Sequence, residues 1–290
     1  MKDYCLWIVS PPGYIHSHAF DDVALSLKSA FGRLGYDVPL VRDPAALTGR
    51  PIVLGGNLLP RLGQADLAER AIVYNLEQIQ PGSPWITVEY LNLLRSHEVW
   101  DFSPRNIKEL ERLGATGVRL CRLGYVPELT RIKPGLEDID VFFYGSLNRR
   151  RLEVLRAIER AGARVEAAYG VYGRPLDDLI ARSRIVLNVH FYEAKVFEIV
   201  RVFYLLANQK FVISETGRDP DLEKQFEGGL VFCPYENLAA ECLKYLADRE
   251  ARIRIAGNGL VRMKALSQVD FLRTALDEGR IGRPGPERSV

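Results

Sequence analysis

Residues 185–215 constrain the chain more tightly than any other stretch. Ile185 to Val189 is a short apolar run, a polar loop follows, a helical segment spans Val196 to Ala207, and Phe211 to Ser214 is a second apolar run. That order is a parallel β-α-β crossover. It places Asn188, His190, Tyr192 and Glu193 just past the first strand's carboxyl end, the edge where open α/β sheets collect ligands.

The same alternation fills the rest of the chain. Tyr4 to Ser10 is an apolar strand broken by Pro11-Pro-Gly13, and a loop with Tyr14, His16 and His18 follows. Phe20 to Leu34 carries a helical apolar stripe ended by Gly35, and Asp37 to Val41 is the next strand. Further strand signals sit at Pro51–Gly56, Ala71–Asn75, Val99–Ser103 and Val118–Leu123, with Ser103-Pro104 opening a helix. Residues 129–140 are polar, hold Pro134-Gly135 and have no apolar period, so they read as a linker. A second series restarts with Val141–Tyr144, a turn at Gly145 to Asn148 and a helix from Arg149 to Ala161. The C-terminal region, Arg249 to Ala275, is helical with Gly257 and Gly259 as weak points, and 279–290 is a frayed tail. The expected organisation is α/β, with two Rossmann-like domains facing across a cleft. These are an N-terminal domain over 1–128, the linker 129–140, and a C-terminal domain over 141–278.

Bulk properties narrow the class. A chain of 290 residues with 47% hydrophobic content suits two packed domains. A net charge of +2 gives no reason to expect nucleic-acid binding. Cys5, Cys121, Cys233 and Cys242 lack C-x-x-C spacing and read as buried reduced thiols. No signal peptide or membrane-spanning stretch is visible, so the cytoplasm is the expected location. The first βα loop lacks G-x-G-x-x-G, and no P-loop occurs. Asp138-Ile-Asp140 resembles a D-x-D metal motif but precedes its strand, so it reads as linker charge, and no metal is expected.

Three stretches resemble the C-terminal domain of GT-B glycosyltransferases, in the group-one and CgeB-like branch. These are Val141-Phe-Phe-Tyr-Gly-Ser-Leu-Asn-Arg-Arg-Arg151, Arg201-Val-Phe-Tyr-Leu-Leu-Ala-Asn-Gln-Lys-Phe-Val-Ile213, and Phe232-Cys-Pro-Tyr-Glu-Asn-Leu238 with the helices after it. The resemblance covers residues 70–270 and is strongest from 140 onward. It implies metal-independent transfer of a sugar from a nucleotide-diphosphate sugar donor, with no further cofactor. The acceptor, a glycan, a lipid-linked sugar, a small molecule or a protein, is left open. One position departs. Tyr204 stands where retaining members carry a glutamate that contacts the donor nucleoside. A degenerate domain that binds a nucleotide or glycan without turnover is therefore the alternative. An unrelated nucleotide-sugar-modifying or response-type α/β protein is a further rival.

Candidate roles follow from placement and from that resemblance. Gly145 and Ser146 let a phosphate approach bare backbone at a helix N-terminus. Arg149, Arg150 and Arg151 oppose the dipole of that helix, so contact with a diphosphate competes with surface pairing to Glu153 or Asp140. Glu198 and Arg201 form either a structural i,i+3 pair or a ribose and phosphate contact. Tyr235 and Asn237 lie at the last strand's edge, where Asn237 is also placed to cap the next helix. His190 contacts the donor or is a satisfied buried histidine. His16, His18 and Glu77 compete as the base for an acceptor hydroxyl.

Overall fold

The computed structural model describes residues 3–63, 67–80, 82–192 and 195–281. It divides into two units, Met1–Val126 together with the segment from Ser267, and Pro127–Leu266.

The first unit is built on strands β1 (Tyr4–Ile8), β2 (Leu40–Val41), β3 (Arg50–Leu54), β4 (Ile72–Asn75), β5 (Glu98–Asp101) and β6 (Val118–Leu120). All pair parallel in the order β2-β1-β3-β4-β5-β6. Helices α1 (Asp21–Arg33), α2 (Val88–Ser96) and α3 (Pro104–Arg112) connect them. The apolar run of β1 is buried from Cys5 to Ile8, as expected of a sheet covered on both faces. Ser103 opens α3 as its N-cap, accepting from the Asn106 N–H at 3.3 Å. The strand expected over 37–41 shrinks to two residues, because Pro39 has no N–H to give a ladder.

The second unit holds β7 (Ile139–Tyr144), β8 (Val165–Ala168), β9 (Ser183–Asn188), β10 (Val212–Glu215) and β11 (Val231–Cys233). They pair in the order β11-β10-β9-β7-β8, again all parallel. Helices α4 (Arg149–Arg160), α5 (Gly173–Arg182), α6 (Ile199–Ala207), α7 (Pro220–Lys224), α8 (Leu238–Ala247) and α9 (Arg249–Lys264) cover it. Helix α4 seats Val154, Leu155 and Ile158 on Val141, Phe143 and Ile185 of the sheet. Ile139 and Asp140 already belong to β7, so the linker reading runs two residues too far.

The two sheets share one winding. In each, the second strand lies to one side of the first and the third to the other. The chain therefore reverses direction between β1 and β3, and again between β7 and β9, and ligands in such sheets bind outside the carboxyl ends at that point.

The C-terminal helices differ from expectation. Helix α9 runs through Gly257 and Gly259, and the break comes at 265–267, before α10 (Gln268–Ile281). A Cβ at Gly259 would stand 2.4 Å from the Gly229 carbonyl oxygen, so this glycine serves close backbone packing and not helix weakness. Helix α10 belongs to the first unit, in line with the sequence reading that the C-terminal helices cross back, although the domain bound of 278 drawn from sequence runs past that crossing. Its Gln268 amide is buried there, accepting from Gly124 N–H at 2.7 Å and donating to the Arg122 carbonyl at 3.1 Å. Residues 279–281 continue that helix, and the remainder of the expected tail lies outside the described residues. All four cysteines are free and buried. Among the described residues no helix is long and apolar enough to cross a membrane.

Candidate functional site

The loops after β7 and β9 meet at the direction reversal of the second sheet. Gly145, at the end of β7, has a φ of +124°, and a Cβ there would lie 2.6 Å from Nη2 of Arg201. Only glycine suits that backbone and that neighbour. Ser146 is exposed, and Asn148 caps α4 by accepting from the Arg151 N–H at 3.0 Å.

The three consecutive arginines separate into three environments. Arg149 is 93% exposed and pairs with Glu153 one helical turn on, a solvated surface pair of small energetic weight. Arg150 forms a two-pronged bond to Glu215, donates to the His190 carbonyl at 3.0 Å and lies 4.0 Å from the centre of the Tyr235 ring. Arg151 is buried. Its guanidinium donates to the Val189 carbonyl at 2.6 and 2.9 Å and to the Ser146 carbonyl at 2.7 Å. This tie joins the loop after β7 to the loop after β9. Burial, reinforced by the Arg201 charge, lowers its pKa to about 9.

Arg201, in the first turn of α6, is placed differently. It donates to Asn188 Oδ1 at 2.9 Å and lies over the Tyr144 ring at 4.9 Å. No carboxylate among the described residues comes within 4 Å of it. Arg201 is thus partly exposed beside the bare Gly145 backbone, and its charge acts on the buried Glu198.

Around it lies a dense buried network. Glu198, at the N-cap of α6, accepts from Asn188 Nδ2 at 3.0 Å. Burial acts to raise its pKa, but the contact with His190 and the charges of His190 and Arg201 outweigh that and hold it below the ordinary value. His190 is fully buried, as one of its two readings required, but it is not satisfied. Its Nδ1 stands 2.8 Å from Glu198 Oε2 without hydrogen-bond alignment, and its Nε2 has no hydrogen-bond partner among the described residues. Glu215, the last residue of β10, is also fully buried and takes Arg150, Lys195 and the His190 N–H. Its burial is likewise outweighed by the Arg150 and Lys195 bonds, so its pKa falls below the ordinary value.

Two candidates have different surroundings. Tyr204 is buried with its hydroxyl on Asp177 Oδ1 at 2.5 Å and Arg131 over its ring at 4.5 Å. Asn237 is exposed and makes no side-chain cap bond to α8, whereas Tyr235 donates to the Arg150 carbonyl at 2.8 Å. Glu193 lies outside the described residues.

The first unit gathers polar groups on its own carboxyl edge. Glu77 follows β4 and accepts from Asn57 Nδ2 at 3.1 Å. Burial raises its pKa to about 7, against the lowering effect of that bond. Beneath it, Asn75, Asp101 and Asn106 form a buried cluster, with Asn75 Nδ2 on Asp101 Oδ2 at 2.6 Å and Asn106 Nδ2 on the Glu77 carbonyl at 2.9 Å. Burial likewise pushes Asp101 to about 7. His18 pairs with Asp21 at 2.8 Å and neighbours Arg42, while His16 packs edge-on against Tyr14.

Comparison with known proteins fits this geometry. Residues 133–270 match the family model described as "Glycosyl transferase-like". Over those residues the second domain is similar to that family. The whole chain is similar in fold to a sucrose-phosphate synthase from Thermosynechococcus elongatus, at 14% identity and a TM-score of 0.63 over 97% of this chain and 98% of that one. It is also similar to the Anabaena protein Alr3699/HepE in complex with UDP and glucose, at 11% identity and 0.62 over 98% and 100%. WaaG, a glycosyltransferase of lipopolysaccharide biosynthesis, follows at 11% and 0.59 over 97% and 99%. No curated protein sequence matches the chain. The two parallel sheets thus match the GT-B fold of these solved structures.

Glu215, Lys195 and the Asn75–Asp101–Asn106 cluster were not among the residues singled out from sequence. The available signal was an acid closing an apolar strand, at Glu215 after Val-Ile-Ser and at Asp101 after Val-Trp. Lys195 has a φ of +47° in the loop after β9, which no sequence pattern announces.

Proposed function

We propose that the chain transfers a sugar from a nucleotide-activated donor, with a nucleoside diphosphate as leaving group. The observation that carries this is Arg201, a guanidinium with no carboxylate of the described residues within 4 Å, beside the positive-φ Gly145. Arg201 and the N-terminal N–H groups of α4 would neutralise the departing diphosphate, which is where preorganised charge accelerates such a reaction. Arg151 acts one step removed, holding the two loops in register. The donor is the only small molecule this reading needs besides the acceptor, and no metal is assigned. HepE is described in complexes with UDP and with UDP-glucose, so uridine donors are the first to try.

The test is a thermal-shift screen with UDP, GDP, UDP-glucose and GDP-mannose, followed by assay of released nucleoside diphosphate. Stabilisation by one nucleotide series together with donor turnover supports the proposal; no response to any of them sinks it. Stabilisation without turnover supports the second reading, a binding domain. That reading is favoured by Tyr204, which occupies the family's glutamate position and is engaged with Asp177.

Substitution of Gly145 by alanine sets a Cβ against Arg201 in a backbone conformation that costs an L-residue about 1–2 kcal/mol. The variant is expected to keep its fold and lose most of the nucleotide-induced shift in melting temperature. A Gly145→Ala protein with undiminished nucleotide response would show that Arg201 and this turn lie off the donor.

For the acceptor hydroxyl we assign Glu77 as base, because its pKa near 7 suits proton removal at neutral pH. Turnover is expected to rise with pH through about 7 as Glu77 loses its proton. Glu77→Gln should remove that limb together with most of the rate, measured as the pH profile of kcat/KM. Stability runs the other way. Glu77 and Asp101 have raised folded values, so they favour the native state most at pH below the unfolded carboxyl value of about 4, and that contribution is lost as pH climbs to about 7.

A further inference from the structure

The loops after β1, β3 and β4 hold a group that the donor reading does not use. Arg61 sits near the end of the 3-10 turn Gly56–Leu62 that follows β3. Its guanidinium lies 4.6 Å from the centre of the Tyr14 ring, on the loop after β1, and 5.4 Å from that of Trp85, past β4. Arg61 is exposed, both rings are partly exposed, and no carboxylate among the described residues lies within 4 Å of Arg61. Tyr14 and Arg61 thus come from the two loops flanking the direction reversal of the first sheet, the position where such sheets bind ligands.

We propose that this shelf recognises the acceptor, and that the acceptor is an acid-bearing pyranoside. This rests on the glycosyl-transfer reading above. Flat aromatic faces offer apolar area to a sugar ring, and a guanidinium held between them is aligned for a two-pronged bond to a phosphate or carboxylate. The turn also sets the spacing to the base. Asn57, which holds Glu77, is four residues before Arg61, or about 8 Å along a 3-10 turn. The residue that holds the base and the cation thus belong to the same short turn.

Tryptophan fluorescence provides the test on the intact protein with no nucleotide present, because Trp7 and Trp100 are fully buried and Trp85 is not. The probes are glucose 6-phosphate, glucuronate, glucose and inorganic phosphate. Either sugar acid is expected to quench saturably and to bind at least roughly tenfold tighter than glucose, the worth of one charge-assisted bond. The tighter of the two tells whether the acid is a phosphate or a carboxylate. Arg61→Gln should remove that preference, and Trp85→Phe should remove the signal. Equal binding of glucose and both acids, phosphate alone binding as tightly as the sugar acids, or no saturable quenching by any probe overturns the proposal. The thermal response to UDP in the Arg61→Gln protein separates the two readings. If UDP stabilises both this variant and the unaltered protein while the unaltered protein binds no sugar acid, only the acceptor assignment fails; if UDP never stabilises even the unaltered protein, the donor reading itself fails.

Discussion

Replacing Arg201 by alanine is expected to weaken nucleoside-diphosphate binding by about 100-fold, the worth of a charge-assisted, two-pronged phosphate contact. Among the described residues Arg201 makes one side-chain bond, to Asn188, and it is only partly buried, so the ligand-free protein should melt within a few degrees of the original. Arg201→Lys keeps the charge and loses the fork, and should recover only part of the affinity. The measurement is calorimetric titration with UDP, or with whichever nucleotide the screen selects. Arg149→Ala is the internal control, because Arg149 is solvated and among the described residues pairs with Glu153 alone. Equal losses in the two variants would mean that diffuse surface charge, and not the β7–β9 crevice, attracts the nucleotide.

The second large effect concerns stability. Glu215 is fully buried and receives Arg150, Lys195 and a backbone N–H. Glu215→Ala leaves two part-buried cations without their counter-charge and should cost about 3 kcal/mol in urea unfolding. Removing both ends with Arg150→Met and Glu215→Leu should cost less than the two single losses added together, since only Lys195 is then left without its counter-charge. The sign of the pH dependence is determined by the depressed folded pKa of Glu215. Its contribution is fully present above the unfolded carboxyl value of about 4 and is lost as pH falls below it. The gap between the original protein and Glu215→Ala should therefore narrow in acid. A constant gap from neutral pH down to pH of about 3 would show that Glu215 acts by packing alone.

Much of the fold was legible because periodicity is local. Apolar runs separated by amphipathic stretches specify parallel crossovers wherever they occur, and the positions of β1, β7, β9 and β10 follow from them. The site was legible only as an edge. Gly145, Arg201 and Glu198 come together because the two loops that bear them flank one reversal of the sheet. The separate fates of Arg149, Arg150 and Arg151 could not be read, since three adjacent residues on a helix point about 100° apart and each meets a different neighbour.

The sequence by itself determined two doubly wound sheets and the strand ends on which polar chemistry collects, because both depend on residues near in the chain. Only the tertiary structure decided which arginine is tied to a carboxylate and where the last helix docks. Those outcomes depend on pairs such as Arg150 with Glu215 and Gln268 with Gly124, 65 and 144 residues apart, whose meeting no local pattern encodes.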